Sequence, residues 1–148
     1  MFKSHMDAAL AEARAAAARG EVPVGAVLVD PEGAIVARAG NRTRELSDPT
    51  AHAEILVLRQ ACAAGKTERL QGFDLYVTLE PCAMCAAAIA AARIRRVYYG
   101  ASDPKSGGVA HGACVFSHPQ AHHAPEVYEG IAEVDAAELL REFFSQRR

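Results

Sequence analysis

Between Leu75 and Tyr99 the chain alternates a β-type run (Leu75-Tyr76-Val77-Thr78-Leu79), a helical stretch from Cys82 to Arg93, and a second β-type run (Arg96-Val97-Tyr98-Tyr99). This alternation constrains the fold more than any other feature. A strand, a crossover helix and a further strand normally close right-handed with the two strands parallel. Upstream, the run Val24 to Val29 and the run Ala34 to Ala37 flank Asp30-Pro31-Glu32-Gly33, which has turn chemistry at every position, so they predict an antiparallel hairpin. A hairpin joined to a parallel pair makes a mixed sheet.

Helices supply the other layers. Met6, Leu10, Ala13 and Ala17 recur at helical spacing and predict a first helix over Asp7 to Arg19, stopped at Gly20. After a polar loop from Asn41 to Thr50, a helix is expected over Ala51 to Ala64 with Ile55, Leu58 and Cys62 on its apolar face. The stretch from Ala101 to Ala124 carries Pro104, Gly107, Gly108, Gly112 and Pro119 without a sustained period, and reads as a long loop with one short helical turn. Glu126 to Ile131 reads as a last strand. Asp135-Ala136-Ala137-Glu138 reads as a capping-box variant opening a final helix, with Leu139, Leu140, Phe143 and Phe144 on its apolar side.

Length and composition narrow the class. With 148 residues, 51% of them hydrophobic and 23% charged, the chain is expected to form one globular α/β domain over residues 1–148. No apolar stretch approaches the ~18–20 residues of a membrane span. The first seven residues lack the apolar core of a secretory signal, so a cytoplasmic location is expected. A net charge of −2 gives no support to general nucleic-acid binding. Four cysteines in such a chain point to reduced thiols in metal or catalytic use rather than a disulfide framework.

Two short segments carry the chemistry: His52-Ala53-Glu54 and Pro81-Cys82-Ala83-Met84-Cys85, each entering a predicted helix. Cys82 and Cys85 are three apart at a helix start, so their sulfurs can face one way, where the helix dipole favours thiolate. His52 completes a Cys2His set that leaves one coordination position of zinc open, as catalytic rather than structural sites do. Water in that position has its pKa lowered to about 7. Hydrolysis also needs a proton carrier, and Glu54, two residues from His52, is the candidate. Taken singly, the Cys-x-x-Cys pair also reads as a redox centre or half a structural zinc clamp, and His-x-Glu as a solvated helix start. The ordered pair of motifs is the signature of zinc-dependent nucleobase deaminases.

At these residues the sequence resembles the cytidine/deoxycytidylate deaminase superfamily, and more closely its tRNA adenosine deaminases. The likeness extends to the Val22 to Val27 block, the Asp48 to Glu54 block, the Thr78 to Cys85 block, the Arg93 to Val97 block and the closing Phe143 to Arg148. It implies a three-layer α/β/α fold with a five-stranded mixed sheet flanked by helices, and a homodimer whose partner subunit helps build the RNA site. It implies one Zn2+ per subunit held by His52, Cys82 and Cys85, with Glu54 moving protons. The expected reaction is deamination of the wobble adenosine of a tRNA anticodon to inosine, with the base turned out of an already unpaired loop.

The resemblance also carries substrate contacts to Asn41, Ala53, Asp48, Asp103, Lys105 and Phe144. Asn41 reads equally as a turn residue, and Asp48, Asp103 and Lys105 equally as solvated loop charges. Phe144, Arg147 and Arg148 offer stacking or phosphate contacts, or simply a helix end. The segment from Gly108 to His118 departs from the family's pattern, and it is expected to border the substrate entrance. His118, His122 and His123 are spaced like metal ligands but lack nearby cysteines. A rival reading keeps the chemistry and changes the substrate to a free base such as guanine or cytosine, or an s-triazine. A third makes the protein a non-catalytic zinc or redox module.

Overall fold

The computed structural model describes residues 2–147. Its element order is α1 (Met6–Ala18), β1 (Gly25–Val29), β2 (Ile35–Gly40), α2 (Ala53–Gly65), β3 (Asp74–Leu79), α3 (Ala83–Ala92), β4 (Arg96–Ala101), a 3-10 turn at Val115–Ser117, β5 (Glu126–Tyr128) and α4 (Glu133–Ser145). The strands form one sheet in the order β2-β1-β3-β4-β5. β1 runs antiparallel to both β2 and β3, while β3, β4 and β5 are parallel. The hairpin strands pair antiparallel and the two strands joined through α3 pair parallel, as the sequence predicts.

Alternation along the strands sends side chains into two cores, which makes three layers. Leu28, Leu75, Val77, Val97 and Tyr99 pack with Val57 of α2 and Ile89 of α3. Val27, Val29, Tyr76 and Tyr98 pack on the other face with Met6, Ala9 and Leu10 of α1 and Ala136 of α4. On that second face Tyr76 and Tyr98 stack with ring centroids 4.4 Å apart, and Tyr98 and Tyr128 at 5.0 Å. Among the described residues no helix is long and apolar enough to cross a membrane.

Four local expectations are corrected. In α2 the side chains buried against the sheet are Ala53, Glu54, Val57, Leu58 and Ala61, whereas Ile55 and Cys62 are half-buried. The sheet comes close enough that small residues fill the contact, and the larger apolar ones turn toward a groove shared with Ala88, Ala91 and Ala92 of α3. The last strand stops at Tyr128, because Gly130 (φ 77°) and Ala132 (φ 57°) turn the chain into α4. That helix starts at Glu133 with no side-chain cap, so Asp135 lies inside its first turn near the positive dipole end rather than capping it. Phe143 is buried but Phe144 is 52% exposed.

Candidate active site

The three candidate ligands come together because two helices begin at the same place. His52 is the N-cap of α2 and Cys82 the N-cap of α3, both in extended backbone conformation, with Cys85 inside the first turn of α3. Pro81 leads the chain off β3 into this turn. His52 Nδ1 lies 3.7 Å from Cys82 Sγ and 3.4 Å from Cys85 Sγ. Zn–N and Zn–S bonds at a tetrahedral angle put nitrogen and sulfur about 3.6 Å apart, so the spacing fits zinc. Among the described residues these are the ones whose donor atoms gather within 4.8 Å of one another as a metal site would require. His118, His122 and His123 form no such group: His123 Nε2 is spent on Ile94 O at 2.7 Å, and His118 Nδ1 accepts from Gln120 N–H at 3.0 Å.

Electrostatics favour a cation here. The thiol of Cys85 and then the ring of His52 hydrogen-bond Cys82, which draws its pKa down to about 4. Its proton stays with its partners: the bond to Cys82 and burial push the Cys85 thiol up, and the bond to Cys82 raises His52. A thiolate beside a second thiol and an imidazole is a soft donor set suited to zinc.

Glu54 sits in the first turn of α2, 3% exposed, and its Oε1 is buried without a hydrogen-bond partner. Burial pushes its carboxyl up to about 7. It faces a cavity of about 250 Å³ lined also by Val22, Val24, Asn41, Thr43, His52, Leu79, Glu80, Cys82, Asp103 and Ser106. An orphaned buried carboxyl oxygen on a residue that lines a cavity beside a metal donor set is costly to keep, and a proton carrier there would account for it.

The remaining candidates divide into those at the cavity and those away from it. Asn41 is buried in the wall; its Oδ1 accepts the Ala53 N–H at 2.8 Å and its carbonyl oxygen accepts from Arg19 Nη2 at 3.2 Å. Ala53 therefore contributes its backbone to fixing Asn41, while its side chain lies in the core. Asp103 lines the cavity and accepts the Lys105 and Ser106 N–H groups on Oδ1 at 3.2 and 3.0 Å. Lys105 is exposed beyond that turn. Asp48 lies outside the lining, where the Thr50 hydroxyl and N–H bond it and hold its carboxyl below the usual range, with Arg59 at 3.7 Å. Phe144 stands on α4 edge-on to Phe143, over whose ring Arg147 lies at 3.8 Å. Arg148 lies outside the described residues.

Two residues that the sequence did not single out hold the chain next to the lining residues Thr43 and Asp103. Buried Glu21 accepts the N–H groups of Arg44 and Glu45 at 3.1 and 2.8 Å, and buried Glu80 accepts five donors from the segment after β4. The one signal available for Glu80 was its place immediately before Pro81-Cys82.

Residues 2–101 match the cytidine and deoxycytidylate deaminase zinc-binding region. The chain is 64% identical over 143 residues to a tRNA-specific adenosine deaminase of Agrobacterium fabrum, covering 97% of this chain and 93% of that protein. It is similar to a solved structure from work on A-to-I editing by tRNA:A34 deaminases at the wobble position of transfer RNA, with TM-score 0.89, 64% identity, and coverage of 91% and 97% of the two chains. The X-ray structure of a guanine deaminase from Bacillus subtilis is also similar, with TM-score 0.67, 29% identity, and coverage of 98% and 94%.

Proposed function

The chain belongs to the cytidine and deoxycytidylate deaminase family, and we propose that it converts adenosine to inosine by hydrolysis at the wobble position (34) of a tRNA anticodon. The observation that carries this reading is the buried, unpartnered Oε1 of Glu54, a residue that lines the cavity beside His52, Cys82 and Cys85. A redox pair or a closed zinc clamp has no use for such a carboxyl.

His52 Nδ1 and the sulfurs of Cys82 and Cys85 would hold the zinc. A metal bound there would supply Lewis-acid polarisation of water, with a pKa near 7. Glu54 would take a proton from the attacking water as its oxygen bonds adenine C6 and deliver that proton to N1, then pass the remaining hydroxyl proton to the amino group as the C6–N bond breaks and ammonia leaves. Asn41 orients the base: its Oδ1 is committed to the Ala53 N–H, so its amide NH2 is the group left to donate. Asp103 flanks the base from the loop, with Ala53 holding Asn41 from behind. Asp48, Lys105 and the Phe144–Arg147 end of α4 meet the RNA outside the cavity. A local patch suffices for a short unpaired loop, even on a chain of net charge −2.

All 148 residues act as one deaminase domain, since β5 extends the sheet past β4 and α4 packs on it. The working form is a homodimer. Its support is α3, Ala-Met-Cys-Ala-Ala-Ala-Ile-Ala-Ala-Ala, which carries no charge on any side yet leaves Ala83, Met84, Ala87 and Ala91 exposed. A protein that processes tRNA works in the cytoplasm.

The test is a panel: an anticodon stem-loop with adenosine at the wobble position against free guanine, cytosine, an s-triazine and nucleosides, read as inosine and ammonia. Inosine in the stem-loop is expected. A second reading, deamination of a free base, has support in a cavity of about 250 Å³, sized for a single base, and in the guanine deaminase likeness. Ammonia from the small molecules alone would establish that reading instead.

A further inference from the structure

Between β4 and the turn at Val115 the chain has no regular structure, yet it is tied down at one point. Glu80, following β3 and 2% exposed, is that point. Its Oε1 accepts the Asp103 N–H at 3.0 Å and His111 Nδ1–H at 2.8 Å. Its Oε2 accepts the N–H groups of Val109, Ala110 and His111 at 3.2, 2.9 and 3.2 Å. Three successive N–H groups converging on one oxygen make an anion-binding nest, filled here by the chain's own carboxylate. The approach is close enough to exclude side chains: a Cβ at Gly107 would lie 2.4 Å from Glu80 Oε2, and one at Gly108 2.5 Å from Ala83 N. Gly108 N–H also donates to Pro81 O at 2.8 Å. The loop is thus fastened to the very turn that bears Cys82, and it carries Asp103 and Ser106 in the cavity wall.

We propose that Glu80 and His111 are positioning residues that fasten the Asp103–Ser106 wall of the cavity, setting how tightly substrate is held without entering the chemical step. The inference rests on the proposed function for its substrate. Four of the five donors are backbone groups that almost any sequence would supply. His111 Nδ1 is the side-chain donor, and it lies in the segment where the sequence departs from the family's pattern. The carboxylate acceptor fixes the ring with its proton on Nδ1.

Three variants test this: His111→Ala removes the donor, His111→Asn returns an N–H near the Nδ1 position, and Glu80→Gln keeps the shape but turns one acceptor into a donor. Steady-state deamination of the anticodon stem-loop, zinc content, and hydrogen exchange of residues 103–111 are measured on the same preparations. In His111→Ala and Glu80→Gln, KM is expected to rise about tenfold, the scale of one hydrogen bond to a charged group, with kcat changed by less than about threefold. Exchange at Val109 to His111 quickens, zinc stays at about one per chain, and His111→Asn restores KM. Should Glu80→Gln fail to fold, His111→Ala decides. Unchanged KM in His111→Ala, a loss confined to kcat, or loss of zinc overturns the proposal. If the unaltered protein leaves the RNA untouched, it is the proposed function that fails; the KM comparison then runs on whichever aminated base is converted, and equal values there overturn the fastening role.

Discussion

Glu54 and Glu80 are carboxylates buried to the same depth, 3% and 2% exposed, on either side of the turn that carries Cys82. One has an oxygen with no partner; the other accepts five hydrogen bonds. Their surroundings push them in opposite directions. Burial lifts Glu54 to about 7, whereas for Glu80 the N–H groups of Asp103, Val109 and Ala110 and the ring of His111 outweigh burial and hold the carboxyl below its usual value. An unsatisfied buried acid costs stability, a cost that the proton-carrying role proposed for Glu54 would explain; a saturated one needs no such explanation. Burial alone does not distinguish the two, but the count of donors does.

The contrast is open to direct attack. Glu54→Ala is expected to lower turnover about 10³-fold or more while the protein still folds and holds about one zinc per chain, checked by single-turnover kinetics and elemental analysis. Loss of the fold in that variant would erase the distinction. Glu80→Ala strips the acceptor from five donors at once and should cost about 3 kcal/mol in urea denaturation. Glu54→Gln should move stability the other way, gaining about 1 kcal/mol, because a neutral amide replaces a buried acid that has one oxygen without a partner. A loss in both would show that Glu54 too is structural.

The smallest effect belongs to a third buried acid, Tyr76, whose hydroxyl donates to Lys3 O at 3.3 Å. Burial, then the neighbouring Tyr98 and Asp74, push its phenol up to about 12. Unfolded, it ionises near pH ~10. The raised group contributes stability that is complete below that pH and lost as pH rises through the folded value. Tyr76→Phe should therefore flatten the alkaline limb of the stability curve, read as urea midpoints against pH, and leave the neutral region little changed.

The two chemical motifs could be read from sequence because local geometry suffices for them. A Cys-x-x-Cys at a helix start, or a His before one, needs no knowledge of distant contacts. The hairpin and the parallel crossover were legible for a similar reason: turn chemistry and run length set them. The face of α2 was not, because alanine carries so weak a hydrophobic signal that Ile55 and Cys62 outweigh Ala53 and Ala61, although closeness to the sheet selects the alanines. Glu21 and Glu80 were invisible for another reason. Apart from the His111 ring, their partners are backbone N–H groups some 23 to 31 residues away, and no side-chain pattern marks those. The start of α4 was misplaced because Asp135 and Glu138 imitate a cap, while left-handed Ala132 performs the turn.

The stacked rings on the α1–α4 face make the protein its own optical probe. The sequence contains no tryptophan and four tyrosines, three of which, Tyr76, Tyr98 and Tyr128, form one column across β3, β4 and β5. Near-ultraviolet dichroism and emission anisotropy therefore follow the docking of those strands, since excitation passes between neighbouring rings only while they remain in register. The column faces away from α2 and α3, so its share of the signal should stay silent when the opposite side of the sheet takes up a metal or a ligand, leaving only Tyr99, which packs on that side, to respond.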